Sequence, residues 1–490
     1  MKIAKKSTTL AVSPADPCAL QKIVTLLDHP LLHTIGAVAD DLQLQAYVVG
    51  GFVRDAFLNR PSKDIDIVCV GDGMLLAQRV AASLDNKLEV TTFKTFGTAM
   101  LNWKGWVVEF VGARKESYCI TSRHPSVLPG TLDDDQMRRD FTINTLAICL
   151  NQNQYGLLLD PFNGQKDLEN GIIKTPCDPL QTFSDDPLRI IRAIRFATQL
   201  NFNIAEETLG AMAMVRNRLK IISQERITEE LHKIIAAHKP SYGFQLLFKT
   251  KILEVIFPEM ANLAGRDQVG THSHKDNFIH TLEVLDNVSA SSSKLWLRWA
   301  AIFHDIAKPL TKQFSPKQGF SFHGHEDLGA KMVPQIFRRM KFPTNKEILG
   351  YVQKLVKLHL RPIALVEQVT DGAIRRLLYE SGDDLEDLFL LCRADITSKN
   401  PIKVAQYLAN FDRVEAKVLD VEARDKIRNF QPIITGELIM NTFHLKPCKT
   451  IGLIKQAIKE AVLEGKIKNE YEEAFNYMYL VGNQLLAKEE

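Results

Sequence analysis

No run of about 18 apolar residues occurs anywhere in the 490-residue sequence, so a membrane-spanning helix is excluded. The richest apolar stretch, Leu295 to Phe303, is too short and is broken by Arg298. Cysteine is sparse: seven residues, at 18, 69, 119, 149, 177, 392 and 448, with no CxxC pair. An odd, scattered set excludes a zinc ribbon and predicts a reducing, cytoplasmic compartment. An excess of one charge is also missing, since the formal net charge is +3. Wholesale electrostatic coating of nucleic acid is thereby disfavoured, and any basic face must be local. The basic start, Met1 to Thr9, has no apolar segment behind it, which predicts no secretory signal and a disordered start over 1–20. Internal repeats and low-complexity segments are absent as well.

The composition that remains is that of a globular chain. Hydrophobic residues make up 45%, which excludes disorder as the main state. The length favours about three domains. Histidine is unevenly spread: seven of thirteen lie between His272 and His359. That concentration marks a region where metal or acid–base chemistry could live.

Short β-rich runs dominate from about 44 to 165. AYVVGG (46–51), DIDIVCV (64–70), KLEVTTF (87–93), TAMLNW (98–103) and GWVVEFV (105–111) predict strands. FVRDAFL (52–58) and GMLLAQRVAASL (73–84) predict helices between them. Beyond about 166 the strand signal fades. PLRIIRAIRFATQL (187–200), ETLGAMAMVRNRL (207–219) and ERITEELHKIIAAH (225–238) have helical period, with Pro187 expected at a first helical position after Asp186. The histidine-rich segment from about 270 to 400 and the charged C-terminal residues also read as helical.

In VVGGFVRDAFL (48–58) a strand runs into Gly50-Gly51 and then into a helix. Such a turn is either structural or a place where backbone N–H groups approach a phosphate. Asp64 and Asp66 follow at i and i+2 on a strand, so both carboxylates leave one face. Either they sit at a wet edge or a cation holds them. Glu109, the single acid in the apolar strand WVVEFV, offers a third carboxylate. Three carboxylates suffice for two Mg²⁺ ions of the kind that activate a hydroxyl and neutralise a triphosphate.

Taken in order, VVGGFVRD, DIDIV, FGTA, VEFVGARKESY, RRDFTINTLA, DPFNG, DDPLRIIRAIRF (185–196) and ERITEEL (225–231) resemble the class II tRNA nucleotidyltransferase and poly(A) polymerase family. The resemblance covers about residues 45 to 235. It implies an α+β protein: a small nucleotidyltransferase-type β-sheet head followed by an all-helical neck, a metal domain and a tail. The expected boundaries are 21–165 for the head, 166–265 for the neck, 266–400 for the metal domain and 401–490 for the tail.

By position, the resemblance implies that Gly50, Gly51 and Arg54 hold the triphosphate, with Asp55 bracing Arg54. Asp64, Asp66 and Glu109 become the catalytic metal ligands. Arg114 is expected to face phosphate, and Arg139, Asp140 and Asn144 to lie near ribose and phosphates. Residues 115–136, with Tyr118 and Arg123, resemble the loop that helps the family change nucleotide. Asp186 and Arg189, spaced i and i+3, are expected on one helix face. There a carboxylate accepting an exocyclic amine and a guanidinium donating to a ring nitrogen would select C and A over U and G. Arg189, Arg192 and Arg195 step along the same helix as either a nucleotide-facing or a solvated stripe, with Arg216, Arg218, Lys220 and Arg226 nearby. Two departures from the family are Asp185, where Glu is usual, and Thr145, where Ala is frequent.

A second constellation follows. HDIAK (304–308), with His280 on an earlier helix and Asp395 on a later one, resembles the HD phosphohydrolase superfamily, an all-helical metal domain. By that resemblance His280, His304, Asp305 and Asp395 ligate a divalent transition metal or Mg²⁺. The histidines of FHGHEDLGA, His323 and His325, and His359 are extra candidates for a second metal or for substrate phosphate. Lys308 is a candidate phosphate contact. The tail, ITGELIMNTFHLKPCKTIG onward, resembles the C-terminal region of CCA-adding enzymes that carry HD domains, with Cys448 where a turn commonly has Gly. Lys446, Lys449 and Lys455 are candidate RNA-backbone contacts.

The implied function is a CCA-adding enzyme that transfers CMP and AMP from CTP and ATP to the tRNA 3′ end, with an HD phosphohydrolase activity beside it. A poly(A) polymerase or a CC-only or A-only enzyme is the alternative within the family. An HD hydrolase with an RNA-binding head is the alternative outside it.

Overall fold

The computed structural model describes residues 17–94, 97–117, 126–265, 268–269, 272–273, 276–365, 370–398, 400–425, 427–428 and 430–487. Tyr118 and Arg123, and the start over 1–16, lie outside them. The chain forms two compact units: Met1–Ala237 with Tyr242–Phe257, and His238–Ser241 with Pro258–Glu490.

The first unit is built on a seven-stranded sheet in the order β3-β4-β5-β2-β1-β8-β9. The strands are β1 (Gln45–Val49), β2 (Asp64–Val70), β3 (Val90–Phe93), β4 (Thr98–Trp103), β5 (Trp106–Gly112), β8 (Ala147–Cys149) and β9 (Leu158–Leu159); a separate hairpin pairs β6 (Arg114–Ser117) with β7 (Ser126–Pro129). Only β2 and β5 pair in parallel within the sheet. Ile65 and Ile67 of β2 and Val108 and Phe110 of β5 are buried. Their alternation sends the intervening acids to the opposite face. The strand expected from residue 87 begins only at Val90. Asp85 causes this: its side chain accepts from the Lys87 N–H and its carbonyl from the Leu88 N–H, which fixes a turn.

Helix α1 (Gly51–Phe57) leaves β1 directly, and α2 (Gly73–Leu84) is capped by Asp72, whose carboxylate accepts from Met74 and Leu75 N–H. Two further helices matter to the site, α3 (Leu188–Leu200) and α4 (Gln224–Ile235), both strongly amphipathic. The helix expected over 207–219 stops at Val215, and a 3₁₀ segment, Arg216–Ile221, takes its place. Arg216, Asn217 and Arg218 offer no apolar residue to bury until Leu219, so the turn tightens rather than continuing the helix.

The second unit is mainly helical. It contains α5 (Asn277–Ser291), α6 (Leu295–Phe303), α7 (His325–Arg339), α8 (Lys346–Leu358), α9 (Leu385–Ala394) and α10 (Pro401–Asp425), then helices over Gly436–Phe443, Lys449–Leu463 and Tyr471–Leu486. The segment read as wholly helical also holds a small hairpin, Gln313–Ser315 against Gly319–Ser321, whose turn uses Gly319 at φ +76°. Trp299, Phe303 and Phe337 are fully buried at the centre of this unit. Among the described residues no helix is long and apolar enough to cross a membrane, and the described cysteines are free thiols.

Candidate active site and metal cluster

In the first unit, register does the assembling. Asp66 stands beside Glu109 across the parallel pair, and Asp64 lies two residues back on the same face of β2. All three open onto one cavity of about 880 Å3, shared with Gly50, Gly51, Arg54, Arg139, Asp140, Asn144, Asp186, Arg189 and Arg192. Gly50 has φ +73° and ψ −137°, and a Cβ there would stand 2.9 Å from Asp66 Oδ2 and 3.1 Å from Arg139 Nη1. Only glycine suits that backbone and that gap. Gly51 has ordinary room, its Cβ position lying 3.6 Å from Arg54 Nη2.

The acids repel one another. Burial raises the Asp66 carboxyl, Arg139 opposes that rise, and Asp64 adds to it. Glu109 is raised by burial and by Asp66, with Arg114 opposing. Crowded carboxylates with raised proton affinity are a donor set that a hard cation relieves, so the residues fit divalent metal. They are spaced more widely than the second cluster below. Among the described residues, only two groups of three or more ligand-type side chains bring their atoms within 4.8 Å of one another, and both lie in the second unit.

A polar chain fixes the phosphate side of the cavity. Arg54 makes a two-pronged contact to Asp55 at 2.9 Å and donates from Nη1 to Asn144 Oδ1 at 2.8 Å. Asn144 Nδ2 donates to Asp140 Oδ1 at 2.9 Å, and Asp140 Oδ2 accepts from Arg192 at 2.8 and 2.5 Å. Burial would raise Asp140, but Arg192 and Asn144 outweigh it and hold it down at about 2. Asp140 and Asn144 thus orient two guanidiniums. Buried Asp135 does the same for Arg138 and Arg139.

Two expectations change. Asp186 and Arg189 do not form an i,i+3 pair on a helix. The helix begins at Leu188, Pro187 is its cap, and Asp186 lies ahead of it, accepting from the Leu188 N–H at 3.1 Å. Arg189 is nearly buried, donates to the carbonyls of Arg138 and Thr182, and lines the shared cavity. Arg114 does not line the cavity; its Nε contacts Glu116 at 2.8 Å. Of the basic stripe, Arg189, Arg192, Arg195 and Arg226 reach the cavity, whereas Arg216 and Arg218 donate to carbonyls of Ala213 and Ser184.

In the second unit, α5 carries His280, α7 opens with His325, and the residues just after α6, α8 and α9 add His304 and Asp305, His359 and Asp395 to a largely buried cluster. His280 Nε2 lies 2.8 Å from Asp395 Oδ1 and 3.4 Å from His304 Nε2. Asp305 sits between two groups. Its Oδ2 is 3.2 Å from His304 Nε2 and 3.4 Å from His280 Nε2, while its Oδ1 is 3.2 Å from His325 Nε2. His359 Nε2 lies 3.4 Å from His325 Nε2. One group is thus His280, His304 and Asp395, and the other Asp305, His325 and His359. His323 is exposed and outside both.

The tautomers decide what this cluster wants. Nδ1 of His304, His325 and His359 each lies 2.7 Å from a main-chain carbonyl three residues back. Each Nδ1 therefore carries the proton, and in the neutral ring each Nε2 presents a lone pair. Two lone pairs facing at 3.4 Å repel unless a cation lies between them, and the outer Nδ1–H contact is the usual support of a metal-ligating histidine. Burial, then the charge of His304, pushes His359 down to about 4. Burial depresses His304 as well, but Asp305 and Asp395 overcome it and push it up to about 10, marking where positive charge is favoured. Lys308 Nζ holds Asp305 Oδ2 at 2.5 Å. The donor set of imidazole and carboxylate fits divalent metal.

Comparison with known proteins gives the same order of parts. Residues 46–174 match the poly(A) polymerase head domain, 201–263 the probable RNA- and SrmB-binding site of polymerase A, and 277–416 the HD domain. An A-adding tRNA nucleotidyltransferase of Deinococcus radiodurans is 31% identical over 353 residues, 69% of this chain and 77% of that protein. A multifunctional CCA protein of Mannheimia succiniciproducens is 31% identical over 386 residues, 74% of this chain and 86% of that protein. The chain belongs to the tRNA nucleotidyltransferase family. An apo CCA-adding enzyme structure, 22% identical, shares the fold with a TM-score of 0.62 over 94% of this chain and 96% of its own.

Within that family frame, the head and HD domains generally work with divalent metals. Several residues of the cavity had no signal in spacing alone. Phe196 lines it and gathers three cations: Arg54, Arg192 and Arg195 stand over its ring at 5.0, 5.5 and 4.0 Å from the centroid. Glu230, buried on α4, holds Arg195 at 2.8 Å. Lys233 and Arg138 complete the basic lining. Nothing in the sequence singled out Asp135 or Arg138, and their pairing emerges only from the fold.

Proposed function

We propose that this chain completes tRNA 3′ ends by adding CMP and AMP from CTP and ATP. The observation that carries the reading is the convergence of Asp64, Asp66 and Glu109 with a network of arginines in one cavity of nucleotide size. The solved neighbours include CCA-adding enzymes with ATP, with CTP and with tRNA, and the curated relatives are named for CCA or A addition. Arg54, Arg139 and Arg192 grip the triphosphate, their guanidiniums held by Asp55, Asp135 and Asp140. Asp64, Asp66 and Glu109 hold Mg²⁺, which supplies charge neutralisation and activation of the attacking hydroxyl. Arg189, anchored by two carbonyls, donates to the base, and Asp186 accepts its exocyclic amine. Exposed Lys446, Lys449 and Lys455 contact the tRNA backbone, and the protein works in the cytoplasm.

A second activity rests on the facing imidazoles. His280, His304, Asp305, His325, His359 and Asp395 hold two divalent ions for hydrolysis of a phosphate ester, with Lys308 at the phosphate. The deciding experiment incubates a tRNA transcript lacking CCA with the protein, Mg²⁺, CTP and ATP, then sequences the 3′ ends. A discrete CCA end supports the reading. Long A tracts, or CC or A alone, overturn it in favour of a poly(A) polymerase or a partial-addition enzyme. Asp64→Asn should stop addition and spare phosphatase activity, and Asp305→Asn should do the reverse.

A further inference from the structure

Four imidazoles meet in the second unit, and three of them are held alike. Nδ1 of His304, His325 and His359 each lies 2.7 Å from a main-chain carbonyl. A carbonyl only accepts, so each of those neutral rings has one proton position. His280 is the exception: its Nδ1 lies 2.8 Å from Oγ1 of Thr397. A hydroxyl both donates and accepts, so two proton positions suit this ring. With the proton on Nε2, His280 donates to Asp395 Oδ1 at 2.8 Å and its Nδ1 accepts from the Thr397 hydroxyl. With the proton on Nδ1, His280 donates to Thr397 and turns a lone pair toward Nε2 of His304, 3.4 Å away. The first arrangement closes His280 against Asp395; the second leaves both as ligands. Thr397 follows Asp395 by two residues, so one short segment after α9 grips the same ring at both nitrogens. Access differs in the same sense. His280, Asp395 and Thr397 line a cavity of about 660 Å3, whereas Asp305, His325 and His359 are all buried.

We propose that Thr397 is the positioning residue of His280, and that its hydroxyl makes the His280–His304–Asp395 group the readily exchanged one of the two ion sites. The proposal rests on the metal reading above. An outer contact to Nδ1 fixes the ring and raises its basicity as a ligand, so losing it costs about 10–100-fold in metal affinity.

The test uses the full-length protein with Mn²⁺ alone as the probe, measuring affinity by calorimetry and release by transfer to excess EDTA. Mn²⁺ that Asp305→Ala still binds belongs to the head and is subtracted. The wild type should release its two ions in a fast and a slow phase, and His359→Ala should lose only the slow one. Thr397→Val, which keeps the shape of the side chain, should weaken the fast-leaving ion about 10–100-fold and leave the slow one unaltered. Thr397→Ser, which keeps the hydroxyl, should restore the wild-type affinity. A Thr397→Val protein that weakens neither ion, or both alike, overturns the proposal. So does a Thr397→Ser protein as weak as Thr397→Val, since the methyl group and not the hydroxyl would then be responsible. Release of both wild-type ions in one phase removes the claim of exchange. A wild type that binds no more Mn²⁺ than Asp305→Ala overturns the metal reading itself.

Discussion

Nε2 of His325 faces Nε2 of His359 across 3.4 Å, and each ring is locked in that pose by its own backbone carbonyl. With each Nδ1 bonded to a carbonyl, the neutral rings turn Nε2 lone pairs toward each other, and a cation between them would relieve the repulsion. Asp305 joins this pair to the His280–His304–Asp395 group, which predicts two tightly held ions per chain in this unit. Elemental analysis after dialysis into Mg²⁺-free buffer should find about two divalent transition ions in the wild type. His359→Ala should drop the count by one, and Asp305→Ala should remove both. An unchanged count in His359→Ala would mean that the second group is no ligand set.

Phe196 faces the opposite problem, keeping three like charges together. Arg54, Arg192 and Arg195 all stand over its ring, and burial pushes Arg195 down to about 10 even with Glu230 beside it. A cation over an aromatic face gains about 0.5–2 kcal/mol. Phe196→Leu keeps the bulk and removes the π-face. The expected result is a rise of about tenfold in KM for both CTP and ATP with a smaller change in kcat. Phe196→Tyr should restore KM. A variant that lowers thermal stability and leaves KM untouched would reduce Phe196 to a packing residue.

The legibility of these sites in the sequence followed the range of the interactions. Asp64 and Asp66 were readable because strand alternation is local, and Glu109 because one acid in an apolar strand is conspicuous. The Asp186–Arg189 relationship was misplaced because a helix start shifted by one residue takes Asp186 off the helix altogether. Arg114 was assigned by position, yet a nearby Glu116 claims its Nε. Phe196, Asp135 and Glu230 stayed silent because their meaning lies in what they touch: Glu230 meets Arg195 across 35 positions of sequence, beyond any periodic signal. The histidines were countable in advance. Only the fold separates His325, at the first turn of α7, from exposed His323 two residues earlier.

Gly50 links backbone conformation to the catalytic carboxylates. An alanine there must adopt φ +73° and bring its methyl to 2.9 Å from Asp66 Oδ2. The backbone strain costs roughly 1–3 kcal/mol, which a domain of this size tolerates. The displaced carboxylate is the larger loss, because small misplacements at a reacting centre cost about 10²-fold. Gly50→Ala should therefore fold, bind tRNA and lose about 100-fold in kcat, as followed by radiolabelled CMP addition. Gly51→Ala, with 3.6 Å to its nearest neighbour, should cost far less. Equal losses at the two positions would remove the argument from Gly50 to Asp66.

Asp140 supplies a prediction in stability rather than rate. Its pKa is held near 2 by Arg192 and Asn144, against a usual value of 3.8. A depressed carboxylate contributes stability that is present above 3.8 and is lost as pH falls through the folded value near 2. Depression to about 2 from 3.8 corresponds to about 2 kcal/mol at neutral pH. Asp140→Asn keeps the shape and the Asn144 contact but leaves Arg192 without its charge partner. Its unfolding free energy at pH 7, from urea titration of the full chain, should fall by about 2 kcal/mol. The deficit should shrink as both proteins are taken from pH 4 toward pH 2, because the wild type then loses the same ion pair. Arg54 should be disturbed as well, since Asn144 ties it to Asp140. A KM for ATP that rises in Asp140→Asn would show the polar chain acting as one unit, and a KM unchanged beside a lost stability would confine Asp140 to holding Arg192.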